Sequence, residues 1–217
     1  MHFAHGEIPR QYTQYIGRKS AFIGVSFLLL AAAVLVSIAQ GAAGIPLDGV
    51  VRSLIGAGAD SRYDIIIWNI RLPQALSAVA AGAGLAVSGA VMQSILRNPL
   101  GSPFTLGISQ AAAFGAALAV MILDAGVMAS TQIGAVTVSQ PFLTTAIAFV
   151  FCLAAAAVII AVSRLRGASP ETMILTGVAL GALFTAGTMF LQFFADDVQL
   201  AAMVFWTFGD VARADWN

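Results

Sequence analysis

Five stretches, near residues 20–40, 72–95, 103–123, 141–163 and 172–195, contain no Asp, Glu, Lys or Arg. Each is about as long as the roughly 20 apolar helical residues that cross a hydrocarbon core. A segment in lipid has no water to satisfy its backbone, so it must form a helix or join a closed barrel. These stretches are runs of Ala, Leu, Val, Ile and Gly without the alternation of a barrel strand. The fold class they imply is all-α: a polytopic membrane helical bundle of about five transmembrane helices. Only 9% of the 217 residues are charged, against about a quarter in a soluble domain.

The ten basic and ten acidic residues balance, and nucleic acid is not an expected partner. Their distribution is more informative, because short cytoplasmic loops retain Lys and Arg. With the N-terminus inside, the inner segments hold Arg10, Arg18, Lys19, Arg97, Arg164 and Arg166, and the outer ones hold Arg52, Arg62, Arg71 and Arg213. All eight aspartates then fall outside. The expected location is the cytoplasmic (inner) membrane, multi-pass, with a cytoplasmic N-terminus. The apolar run from Ala21 to Ala39 exceeds a signal peptide's core of about 7–15 residues, so the first span is expected to stay as a helix.

No span carries an ionisable residue in its interior, which argues against a proton- or ion-coupled carrier, where such residues are kept despite their cost. Gly17–Ser20 reads GRKS but lacks the second glycine of a phosphate-binding loop, and a membrane-flanking basic anchor explains it better. His2 and His5 near the terminus make a weak metal pair, so no metal and no cofactor are expected. Cys152, the single cysteine, lies in the fourth span with a packing role. No catalytic constellation of Ser, His, Asp or paired carboxylates is present, and the chain is not expected to be an enzyme.

Small residues recur at helical spacing. Ala78, Gly82, Ala86 and Ala90 repeat every four residues, with Ala81, Leu85 and Gly89 beside them; Gly107, Ala111 and Gly115, and Gly177 and Gly181, follow in later spans. Such rows let membrane helices approach closely. Either they serve general packing, or the nearby polar residues Ser88, Gln93, Ser109 and Gln110 face a central path. Between the second and third spans runs RNPLGSPFTLG, Arg97 to Gly107. Pro99 disfavours helical geometry at Asn98. Gly101 permits a tight turn, Ser102 suits an N-cap, and Pro103 suits the first helical position. A short reversal between antiparallel helices is therefore expected there.

In order along the chain come RLP (Arg71–Pro73), SGAVMQ (Ser88–Gln93), RNPL (Arg97–Leu100), Pro103, LGIS (Leu106–Ser109), ILTGVALGALF (Ile174–Phe184) and FWTFGDVARADW near the end. This series resembles the FecCD-type permease subunits of ABC importers that take up iron-siderophores, heme and cobalamin. The resemblance implies a transmembrane permease of about ten helices per subunit. Its implied partners are a second permease copy or homologue, cytoplasmic ATP-binding cassette subunits that hydrolyse the ATP, an extracytoplasmic substrate-binding protein, and membrane lipid. It also implies that Ser88, Gln93, Asn98, Pro99, Gly101, Pro103, Gly107 and Ser109 border the translocation path, and that Arg71 docks the binding protein at an outer aqueous edge. Gln74 stands where the family pattern often has a second arginine, and Arg62 is a substitute for that contact. Gly82, Gly89, Gly177 and Gly181 are the expected packing glycines.

The resemblance treats residues 1–217 as one permease domain matching the N-terminal half, because the coupling helices that engage the ATPase follow a sixth span in the family. The chain is then either a fragment or is completed by a second polypeptide, and the alternative function is a truncated, non-transporting membrane subunit or scaffold.

Overall fold

The computed structural model describes residues 10–41, 43–57, 61–123, 126–128, 136–138, 140–167 and 169–216; His2 and His5 lie outside them. The helices are α1 (Arg10–Ala39), α2 (Leu47–Leu54), α3 (Ser61–Ile66), a π-helical turn (Ile67–Arg71), α4 (Leu72–Leu96), α5 (Ile108–Leu123), α6 (Pro141–Leu165), α7 (Pro170–Phe194) and α8 (Asp197–Phe208). A small antiparallel hairpin joins β1 (Gly126–Met128) to β2 (Val136–Val138) in the register Gly126↔Val138. With the spans helical and the strands only three residues each, the fold is an all-α membrane bundle.

Among the described residues four helices are long and apolar enough to cross a membrane: Arg10–Ala39, Ser61–Leu96, Pro141–Leu165 and Pro170–Phe194. They carry large apolar side chains on their outsides, such as Phe22 at 74% exposure and Phe193 at 81%. That pattern fits lipid or another protein surface and would be costly in water. The remaining predicted span differs from expectation. Its helix starts at Ile108 rather than Pro103 and has 16 residues, which reach about 24 Å of the roughly 30 Å core. The cause is Gly107, whose φ of +70° breaks the helical path. Residues 103–107 form a separate hydrogen-bonded turn before it, with Leu106 N–H donating to the Ser102 carbonyl at 3.2 Å.

Helix starts follow local chemistry. Pro141 and Pro170 occupy first-turn positions of α6 and α7, where a missing N–H has no cost. Ser169 Oγ accepts from Thr172 N–H at 3.2 Å. Asp196 and Gln199 form a reciprocal capping box at α8. That helix was not expected, although Asp196, Gln199 and the apolar run after them are its sequence signature.

The chain divides into two compact units, residues 1–79 with 211–217, and residues 80–210. In the first, Ile38, Ile45, Val50, Ile67 and Ala75 form the buried core. In the second, α5 packs against α6, α7 and α8. Leu96, Leu106 and Ile159 are buried with Met173 and Ile174 at one end, and Ala117, Val120, Ala202 and Met203 with Leu191 at the other. The first of these ends gathers the α4–α5 turn with the C-terminus of α6 and the start of α7.

Candidate functional site

In the 80–210 unit the candidate site is built on the Arg97–Gly107 turn. Helix α4 stops at Leu96, and Arg97 takes a left-handed φ of 48°. Asn98 N–H then donates back to the Gln93 carbonyl at 3.2 Å, the six-to-one bond of a Schellman C-cap. Gln93 Nε2 donates to the Pro99 carbonyl at 2.9 Å, and Asn98 Oδ1 accepts from Leu100 N–H at 2.9 Å. Gly101 N–H closes a turn on the Asn98 carbonyl at 3.0 Å. Gln93 and Asn98, read from the sequence as path-bordering, thus hold the turn's own backbone. Arginine in left-handed geometry carries strain of about 1 kcal/mol. Arg97→Gly is expected to keep the turn and raise stability by about that amount, while Arg97→Val lowers it; thermal melting of the two variants checks the order.

The far end of the turn meets α7 at backbone distance. A Cβ on Gly107 would sit 2.5 Å from the Gly177 carbonyl oxygen and 2.7 Å from Gly181 N, and one on Gly177 would sit 2.7 Å from Leu106 Cα. Gly107 and Gly177 therefore exclude a side chain, and with Gly181, whose Cβ would stand a tight 3.2 Å from Gly107 Cα, they form one glycine seam. Gly115 makes a similar approach to Ala148 of α6. The row Gly107, Ala111, Gly115 is thus split: Gly107 precedes the helix and meets α7, while Gly115 meets α6. By contrast, a Cβ at Gly82 or Gly89 meets nothing within 4 Å, so these two α4 glycines lie in open space among the described residues.

Ser88 and Ser109 are exposed, and Pro99 is exposed while Pro103 is half-buried. Gln110 leaves Oε1 buried without a hydrogen-bond partner, close to where a Gly181 Cβ would stand. The Cys152 thiol lies 3.5 Å from the Ile108 carbonyl.

The docking candidates lie in the other unit, where the Arg71 side chain is turned inward. It is only 9% exposed, and its Nη1 donates to the Ile38 and Ala39 carbonyls at 2.5 and 2.8 Å. These belong to the last turn of α1, whose carbonyls have no partner within the helix and favour a cation. Gly41, with φ of +150°, lets the guanidinium in: a Cβ there would lie 2.6 Å from Nη2. The π turn ends at Arg71, with Leu72 N–H bonded to the Ile67 carbonyl. The next residue but one, Pro73, has no N–H and its ring would crowd the Asn69 carbonyl in a regular helix. A π turn directly before it shifts the hydrogen-bond register and absorbs that mismatch. RLP therefore has a local physical basis: proline goes with the π turn, and arginine caps the end of α1. Substituting Glu at Arg71 would set a carboxylate against two carbonyls, so folding suffers before any docking contact does.

Gln74 Nε2 donates to the Ala212 carbonyl at 2.6 Å, and Trp216 Nε1 donates to the Trp68 carbonyl at 2.6 Å. The 211–216 segment is thus held against the Ser61–Gln74 stretch by two side-chain bonds that the sequence did not reveal. Gln74→Leu is expected to cost about 1 kcal/mol locally and to speed amide exchange over 211–216, with the exchange of α6 and α7 unchanged. Arg62 is exposed.

Residues 29–217 match the FecCD transport family. A Methanocaldococcus jannaschii protein named as an ABC transporter permease is 46% identical over 97% of this chain and 60% of its own length. The Fe(3+)-citrate import system permease protein of Bacillus subtilis is 32% identical over 84% of this chain and 50% of its length. A vitamin B12 import system permease protein of Escherichia coli is 33% identical over 72% of this chain and 44% of its length. Among solved structures, an inward-facing conformation of a metal-chelate type ABC transporter aligns with a TM-score of 0.70 and 28% identity, covering 91% of this chain and 56% of that one. The chain spans about half the length of the curated relatives it matches. The helices, the turn sealed by glycines and a family match over 189 of 217 residues (29 to 217) together mean that this multi-pass membrane chain belongs to the FecCD transport family.

Proposed function

We propose that the chain forms part of the transmembrane permease of an ABC importer that moves a metal chelate, of the iron-siderophore, heme or cobalamin class, by alternating access. The observation that carries the reading is the family match joined to relatives named for Fe(3+)-citrate and vitamin B12 import. In this reading residues 1–217 act as one permease domain. ATP is hydrolysed on a separate cassette subunit, substrate arrives on an extracytoplasmic binding protein, and a second permease copy or homologue completes the path.

The exposed Ser88 and Ser109 are the residues proposed to face the path, near the turn that Gln93, Asn98, Pro99, Gly101, Pro103 and Gly107 shape. The open α4 glycines, Gly82 and Gly89, are proposed to receive a neighbouring helix of the assembled permease. Docking is assigned to the exposed Arg62, with Arg71 holding the end of α1. A cytoplasmic N-terminus is supported by Arg97, Arg164 and Arg166, which follow α4 or end α6 at one end of the 80–210 unit, while Asp196 and Asp197 start α8 at the other.

The test is reconstitution of the complete permease containing this chain, with its ATPase and binding protein, in proteoliposomes. ATP-dependent uptake of ferric citrate, a ferric hydroxamate or cobalamin is expected. No uptake of any of these leaves the non-transporting scaffold as the better account, and uptake driven by a proton or sodium gradient without ATP overturns the ABC assignment.

A further inference from the structure

We propose that one face of α1 is a binding site for an anionic phospholipid, formed by Tyr15, Arg18, Lys19, Phe22 and Ile23. These residues are spaced three, four, seven and eight apart, which puts them on one side of the helix. All five are exposed along α1. Lys19 Nζ stands 4.5 Å from the centre of the Tyr15 ring, a cation–π contact between successive turns of the helix. Helix α1 contains no Asp or Glu from Arg10 to Ala39, so neither cation has a carboxylate on its own helix.

The face changes character abruptly one turn further on. Phe22 is 74% exposed and Ile23 67%, and the apolar run continues through Phe27 to Leu30. Two cations and a tyrosine hydroxyl stacked directly above apolar surface match a phosphodiester above its acyl chains. A zwitterionic headgroup brings its own cation to the same place and gains less. Charge complementarity therefore selects an anionic lipid, at roughly 5-fold in affinity per basic residue near the headgroup. This inference is independent of the transport reading, because it uses only α1.

The experiment measures lipid retention by native mass spectrometry on the detergent-purified 217-residue chain, doped with phosphatidylglycerol or phosphatidylcholine. Wild type is expected to retain phosphatidylglycerol preferentially, and R18Q/K19Q is expected to lose roughly 20-fold of that preference. R18K/K19R, which keeps both charges, is expected to retain it, which separates charge recognition from misfolding. Inorganic phosphate at millimolar concentration is expected not to displace the lipid, because it lacks the acyl chains that Phe22 and Ile23 contact. Equal retention of the two lipids by wild type, an unchanged preference in R18Q/K19Q, or displacement by phosphate overturns the proposal.

Discussion

Gly107→Ala is expected to lower the stability of the 80–210 unit by about 2–5 kcal/mol, enough to deplete the folded protein in the membrane. Two independent costs combine. The residue adopts φ of +70°, where a Cβ costs roughly 1–2 kcal/mol. That Cβ would also sit 2.5 Å from the Gly177 carbonyl oxygen and 2.7 Å from Gly181 N. These are backbone atoms of α7, so no side chain can rotate away, and overpacking of this kind adds about 1–3 kcal/mol. Gly177→Ala tests the same seam from the other side, since its Cβ would meet Leu106 Cα at 2.7 Å without the φ penalty; a smaller loss of about 2 kcal/mol is expected. Gly82→Ala supplies the contrast. It lies inside α4 with open space around it, so the higher helix propensity of alanine should stabilise by up to about 1 kcal/mol. Thermal melting of the three variants in detergent decides the matter. Equal effects at Gly107 and Gly82 would mean that the seam does not hold the turn to α7.

The second large effect is expected at Arg71. Arg71→Met removes two charge-assisted hydrogen bonds to the Ile38 and Ala39 carbonyls and leaves these acceptors without their donor. Each bond to a charged group contributes about 1.5–3 kcal/mol, so a loss near 3 kcal/mol is expected. Arg71→Lys keeps the charge but replaces a planar fork with a single ammonium, and should recover only part of the loss. Gly41→Ala alone pushes a methyl group into the guanidinium, whose Nη2 would be 2.6 Å away. In the double variant Gly41→Ala/Arg71→Met that clash no longer exists, so the two effects should fall short of additivity by about 1 kcal/mol. Amide exchange over 36–41 gives a second readout, because fraying of the α1 end should accelerate it. Additive melting shifts with unchanged exchange would mean that the arginine does not cap this helix.

Both residues show how differently the sequence speaks about position and about role. Arg71 stood out because it follows an apolar stretch and begins RLP, yet nothing in that spacing reveals that its side chain turns inward. The signal lies 30 residues earlier, at Gly41 after a helix end, and becomes legible only when the two segments are brought together. Gly107 was read as one member of a helical row. The row's period is right for Ala111 and Gly115, both buried in α5, but the helix stops before reaching Gly107. Gln74 was marked as a departure from the family pattern, and its bond to Ala212 spans 138 residues, a separation that no local pattern encodes. Helix α8 could have been found, since Asp196 and Gln199 form a capping box ahead of an apolar run.

The sequence by itself determined the solvent and therefore the class. Long stretches without charge must satisfy their backbone internally, which makes them helices in lipid whatever else they touch. It also determined where α4 ends, because Pro99 disfavours helical geometry at Asn98 and Asn98 hydrogen-bonds within its own turn. Tertiary structure alone decided which small residues matter. Gly82, Gly89, Gly107 and Gly177 look alike along the chain, and only the approach of α7 to within backbone contact separates the two that exclude a methyl group from the two that do not. Glycine spacing permits close packing on any face of a helix, but the partner's position selects the face.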